Sequence, residues 1–404
     1  MLENTIQKLR TIILTCFLFL MSAKGWVEHR FDLNISIEIY ILTFTLVFLF
    51  RDELSKYLLN CFRKNIFEID FLIIVFLLLH FVATQEITVV GVSFGFLYIF
   101  CSSLSRASEK TCKIFVHSLF ISAILCSVGV LIGLIEGIIG NSSVFVTIQP
   151  PNYPSPILNI FNSLFMTNWI YQISGFQFSI NYTAYVLIGG LASIHFIEIN
   201  KHFKNFFIGI FIFSLILCQA KIGYLFLTFA GIKLISKSPY KFLVITSFLY
   251  LLLTHITINH SDNILEITHY FRTLVYSIGS YDFYISFFTW LKISSIEYLA
   301  SVNWFFGKYN EFINIILAEP HSFWISLILV AGPMTTILIL IKFIKVEKSY
   351  REALDKGSPL FFASFYTFII ETIVWDAFDS PVFWIVIIIF PIMVIKNYPI
   401  KKII

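Results

Sequence analysis

Lys221 stands in Gln219-Ala220-Lys221-Ile222-Gly223, a polar turn between two apolar runs. Phe206 to Ile235 has to go out and back between basic clusters at Lys204 and Lys237. Each leg is then about 15 residues, or roughly 22 Å of helix, against an apolar bilayer core of about 30 Å. The turn is therefore expected below the membrane surface, where an ammonium is costly unless an anion faces it. Binding an anionic group is the chemistry such a lysine suits; the alternative is a lysine that snorkels from ordinary tilted helices. Glu319-Pro320-His321-Ser322 opens another apolar run, with Pro320 suited to a first helical turn. The positive end of such a helix favours a phosphate. It also keeps a neighbouring histidine ready to accept a proton, as a general base must be. His321 is thus a candidate base, or else a histidine at a membrane interface. Arg272 is the arginine of the long connection 259–319. It could clamp a phosphate through two parallel hydrogen bonds, or be a solvated residue on an amphipathic helix.

The carboxylates divide by position. Asp379-Ser380-Pro381 reads as a helix cap, with Asp376 in the same turn. Glu371 lies more than a turn deeper in its run, and Glu136 lies near the end of the fifth; either could face Lys221. His255, His260 and His269 lack the spacing of a metal site, and the six cysteines contain no Cys-x-x-Cys. No metal and no cofactor are expected.

These positions are carried by apolar elements. Only 13% of the 404 residues are charged, where a soluble domain carries about a quarter. Apolar runs of membrane-spanning length lie near 11–25, 33–50, 67–84, 86–104, 114–139, 178–197, 203–219, 221–236, 240–258, 320–344, 358–377 and 380–396. The first is read as a span rather than a cleavable signal, because no small-residue cleavage site follows it. Twelve spans with both ends cytoplasmic leave only Lys24, Arg30, Lys221, Arg272, Lys292 and Lys308, of 28 basic residues, on the outer side. A net charge of +4 then marks orientation, not nucleic-acid binding. The expected fold is all-α, one polytopic domain over 1–404. Outer connections lie at 140–177, without a charged residue, and at 259–319. Ile264, Ile267, Phe271, Leu274 and Ile278 recur at helical spacing in the second connection, and Asp282–Leu299 is amphipathic as well. Both stretches are expected to be helices on the outer membrane surface.

Three segments, in this order, resemble the O-antigen polymerase and ligase superfamily of bacterial membrane glycosyltransferases. Gly175-Phe-Gln-Phe-Ser-Ile-Asn181-Tyr-Thr-Ala184 is similar to the family's Gly…Asn…Ala stretch at the start of a central span. Gln219-Ala-Lys221-Ile-Gly223 is similar to its Ser-Arg/Lys-x-Gly/Ala turn between short helices. Pro320-His321-Ser322 through Gly332, preceded by Trp304–Gly307, resembles its His-Asn/Ser-x-x-Leu…Gly helix after a large outer loop. The resemblance implies a GT-C-like helical fold in the bacterial inner membrane, acting without metal on undecaprenyl-diphosphate-linked glycan as donor and acceptor. Lys221 and Arg272 would hold the diphosphate and His321 would deprotonate the acceptor hydroxyl, with Asn181, Glu319 and Glu371 in support. A chain-length regulator is an implied partner. The family's pattern has serine where Gln219-Ala220 stand. It also has an arginine leading the helix written here Asp282–Trp290, and Arg272 lies ten residues upstream.

The reading that follows is a polymerase of surface polysaccharide, whether O-antigen of lipopolysaccharide or capsule. A ligase moving the finished glycan to lipid A-core is the alternative within that class. A repeat-unit flippase is the alternative outside it, but two related halves and short loops on both sides, expected of a flippase, are missing from the sequence.

Overall fold

The structure is a computed structural model. It describes residues 2–64, 68–105, 108–140, 145–149, 172–177, 179–236, 238–260, 275–278, 281–285, 287–302, 307–316, 320, 322–356, 358–374, 380–391 and 393. The first half is six helices: α1 (Leu2–Phe31), α2 (Ser36–Leu49), α3 (Arg51–Lys64), α4 (Ile69–Thr84), α5 (Val89–Ser105) and α6 (Glu109–Gly140). Strands β1 (Thr147–Gln149) and β2 (Gln172–Gly175) pair antiparallel in the first long connection. Then come α7 (Ile180–Ser193), α8 (Lys201–Cys218), α9 (Lys221–Ile235) and α10 (Pro239–His255). A second antiparallel sheet joins β3 (Ile256–His260), β4 (Val275–Ile278) and β5 (Tyr281–Ile285), with β5 in the middle. The chain closes with α11 (Phe287–Ser301), α12 (Tyr309–Ile316), α13 (Phe323–Lys356), α14 (Pro359–Val374) and α15 (Pro381–Trp384), the last running into a π turn, Ile385–Ile389.

The exterior is that of helices in lipid. Among the described residues, four helices are long and apolar enough to cross a membrane, and shorter apolar helices accompany them. Outward faces carry large apolar groups, with Phe44 74%, Val82 75% and Ile235 88% exposed, a surface that water does not tolerate over such an area. Serines and threonines turn inward instead. Small residues set the closest helix approach: a Cβ at Gly190 of α7 would fall 2.2 Å from the Ala123 Cβ of α6.

Two expectations for the second outer connection need correction. Val275–Ile278 and Tyr281–Ile285 are strands, not parts of surface helices. Tyr281-Asp-Phe-Tyr-Ile285 is rich in aromatics, and Gly279-Ser280 separates it from Val275-Tyr-Ser-Ile278. Short-range alternation and a turn signal prevailed over a helical spacing read across them. Helix forms only from Phe287. The Ile264–Leu274 part of the expected helix lies outside the described residues.

The run expected to cross at 320–344 is also not one straight span. Gly332 has φ 83° and ψ 162° and is followed by Pro333. Residues twenty apart on a continuous helix are separated by about 30 Å. Yet the rings of Phe323 and Phe343 stack with centroids 6.0 Å apart, and Trp324 meets Phe343 at 5.7 Å. Phe323–Ala331 therefore folds back beside the limb that starts at Pro333, as a helical hairpin. Leu329's carbonyl, which Pro333 could not serve, lies 3.2 Å from Nε2 of His80 on α4. Thr336 Oγ1 donates to the Gly332 carbonyl at 2.9 Å. A Cβ at Gly332 would lie 2.8 Å from His80 Nδ1 in backbone space reserved for glycine. Gly332→Ala should cost about 1–3 kcal/mol from that backbone strain alone. Thermal unfolding in detergent should show this against Gly231→Ala, whose added methyl meets nothing within 4 Å. Equal midpoints for the two variants would contradict the hairpin turn.

The descending limb of α13 is pinned to α4 and α5. Lys342 Nζ lies 2.6 Å from Asp70, 2.8 Å from the Tyr98 hydroxyl and 3.0 Å from Ser102 Oγ. Tyr98 also donates to Asp70. Above this group Trp384 packs on Phe94, Tyr98, Phe323 and Phe343, so the hairpin is clamped between α5 and α15.

Candidate functional site

The α8–α9 turn forms at Gln219–Ala220, between an α8 of 18 residues, longer than the expected leg, and an α9 of 15. α8 ends with Gln219 in the left-handed region, φ 54°, and α9 begins two residues later at Lys221. Gly223 allows the tight return, for a Cβ there would sit 3.0 Å from Leu215 of α8. Ala220 is the N-cap residue of α9 and has no side chain able to cap it. Gly223 and Tyr224 give their N–H groups to the Ala220 carbonyl, so the positive end of α9 opens at Lys221 itself.

Lys221 is half-buried, and its charged neighbour is Glu371 of α14. Glu371 is 3% exposed. Its Oε2 accepts from the Tyr250 hydroxyl of α10 at 2.8 Å, and a second cation, Lys292 of α11, acts on the same carboxylate. Beside it, Thr372 Oγ1 accepts from the Trp324 indole N–H at 3.0 Å. Trp324 is the second residue of α13, so a second helix start is held within one residue of Glu371. α9, α10, α11 and α14 thus place two lysines and a tyrosine hydroxyl around one buried carboxylate, and α13 is tied to the next residue of α14 through the Trp324 indole. A recess that gathers two lysines suits an anion.

Of the two carboxylates considered for Lys221, Glu371 takes the position. Glu136 instead accepts from the backbone N–H groups of Phe145, at 2.8 Å, and Val146, at 3.3 Å, and so anchors the chain entering β1. Asn181 is on the first turn of α7, its N–H on the Ser179 hydroxyl at 3.3 Å, and makes no described contact with the Lys221–Glu371 group. His321, Glu319, Arg272, Asp376 and Asp379 lie outside the described residues. Pro320 and Ser322, on either side of His321, are buried, and Ser322's carbonyl starts α13 by accepting from Ser326 at 2.9 Å.

Tyr250, Lys292, Trp324 and Thr372 were not singled out from the sequence. A signal existed for Lys292 alone: it is one of the few cations left on the outer side by the charge bias, as is Lys221. Two of those exceptions meet at one carboxylate. Among the described residues no group of three or more histidine, cysteine or acidic side chains could hold a metal ion. No protein-family model, curated protein or solved structure matches the chain, so the chemistry of this site rests on its own residues and their placement.

Proposed function

We propose that this chain is a membrane glycosyltransferase, a polymerase joining undecaprenyl-diphosphate-linked repeat units of a surface polysaccharide at the outer face of the bacterial inner membrane. The observation that carries the reading is the pair of lysines, Lys221 and Lys292, that act on the buried carboxylate of Glu371. A lipid diphosphate brings matching charge to that recess while its chain stays in the bilayer. The apolar runs supply twelve crossings in a GT-C-like arrangement, with the limb from Pro333 taking the place of a straight span over 320–344.

In this reading His321 takes the proton of an acceptor hydroxyl, and the freed oxygen attacks the anomeric carbon of the donor sugar. The bond from that carbon to the diphosphate oxygen breaks, and the lipid diphosphate leaves with the electron pair. Lys221 and Lys292 stabilise the developing charge, and Glu371 keeps both in place through the free state. Arg272 adds a clamp from the outer connection, and Asn181 and Glu319 are supporting positions. The acceptor belongs to a second lipid-linked unit, and a chain-length regulator would act from outside this chain.

The test is the surface glycan of a deletion strain complemented with wild type or with His321→Ala at matched protein levels. Wild type should restore a ladder, and His321→Ala should leave core plus one unit. Long chains stranded on the lipid carrier in the deletion strain would mean a ligase, and single units trapped on the inner side would mean a flippase. A full ladder from His321→Ala would remove the histidine from the mechanism.

A further inference from the structure

β2 packs on α6 by one face only. A Cβ at Gly133 of α6 would lie 2.4 Å from Ile173, and a Cβ at Gly175 would lie 2.7 Å from the backbone of Gly129. Ile173 and Gly175 therefore face α6. Side chains alternate along a strand, so Gln172 faces away from α6, and Ser174 is the extra residue at a bulge between Ile173 and Gly175; α7 and α8 also pack on β2. Gln172 and Ser174 are fully buried, as is Gln177 just beyond the strand. Neither side-chain polar atom of Gln172, nor Ser174 Oγ, nor Gln177 Oε1 has a hydrogen-bond partner among the described residues. Native proteins pair nearly all such groups, and a cluster of exceptions calls for a missing partner.

The cluster lies on the side of α6 and α8 that leads to the candidate site. Gln177 Nε2 lies 3.3 Å from the Cys126 thiol of α6, and Cys126 is an electrostatic neighbour of Cys218 at the end of α8. Cys218 directly precedes the turn that presents Lys221. The side-chain chemistry therefore changes in that direction. Carboxamides and a hydroxyl, uncharged and able both to donate and to accept, stand at the β2 end, and cations stand at the α9 end.

We infer that Gln172, Ser174 and Gln177 form a subsite for a neutral, hydroxyl- and amide-bearing group joined to the anion held at Lys221. Resting on the function proposed above, that group is a sugar of the lipid-linked glycan. Uncharged donors and acceptors in a dry setting discriminate strongly for a ligand that pairs with them, because a ligand lacking those groups leaves them unpaired.

The experiment uses the full chain in lipid nanodiscs and two probes, undecaprenyl diphosphate without sugar and the glycan-bearing undecaprenyl diphosphate extracted from the deletion strain. The variants are Gln172→Met with Ser174→Ala, Ser174→Ala alone, and Lys221→Met. The double variant is expected to bind the sugar-free lipid as wild type does and the glycan-bearing lipid on the order of ten- to a hundredfold more weakly. Ser174→Ala alone, the mildest change, should shift in the same direction and keeps the test alive if the double variant does not fold. The subsite is overturned if variants that fold bind both probes as wild type does. It is equally overturned if wild type binds the glycan-bearing lipid no better than the sugar-free one. A selective loss in the double variant with no effect of Lys221→Met would uphold the subsite and remove the diphosphate from the reading.

Discussion

Asp70→Leu and Lys342→Met should each destabilise the protein by about 3–5 kcal/mol, and combining them should cost far less than the sum. The two side chains are 7% and 17% exposed and 2.6 Å apart, and they join α4 to the descending limb of α13. Removing one partner leaves the other charge buried among apolar helices, facing hydroxyls such as those of Tyr98 and Ser102 in place of its counter-charge. Removing both replaces a desolvated pair by packing of similar volume, which is often neutral. Four proteins, unfolded by heat in the same detergent, supply the double-mutant cycle. Additive losses would mean that the pair does not act as a unit. A further check follows from Tyr98, which also donates to Asp70. Tyr98→Phe should lose less than either charge variant, because the ion pair survives it.

Lys221→Met should lower glycan polymerisation on the order of a hundredfold or more while leaving the fold intact, since one well-placed group facing developing charge contributes about that much. The loss should be unequal among related variants. Lys221→Arg keeps the cation and should retain measurable activity. Glu371→Gln keeps the Tyr250 contact but loosens its hold on Lys221 and Lys292. It should act through position rather than charge transfer, raising the concentration of lipid-linked donor needed more than it lowers the limiting rate. The readout is the glycan ladder together with the turnover of extracted donor by purified protein. Wild-type turnover from Lys221→Met would end the proposed role of this turn, whatever else the chain does.

Much of this was legible from apolar runs and from where cations do not belong. The turn at Lys221 was legible from the polar break between two apolar runs, and α8 ends and α9 begins there, though α8 is longer than the expected leg. What escaped was orientation around each helix. Lys342 counted as one more inner-side cation, because the charge bias reports the side of the membrane and not the direction a side chain takes. Asp70 drew no attention for the same reason. The hairpin in α13 was hidden by hydropathy, which cannot tell one long apolar helix from two short ones folded together. Gly332-Pro333 carried the breaker signal within it. The strands at 275–278 and 281–285 were obscured by a helical spacing that began upstream and ran on into them. Glu371's partners could not be read at all, since Tyr250, Lys292 and Trp324 stand on three elements distant in sequence.

The hairpin also bears on how the protein is made. Phe323–Ala331 is about 14 Å of helix, too short to hold itself across a bilayer. Such a short segment has to be held by protein rather than by lipid. Its cover is supplied by Thr372, Phe383 and Trp384, all synthesised after it. The first limb of the hairpin therefore completes its packing only once α14 and α15 have been made.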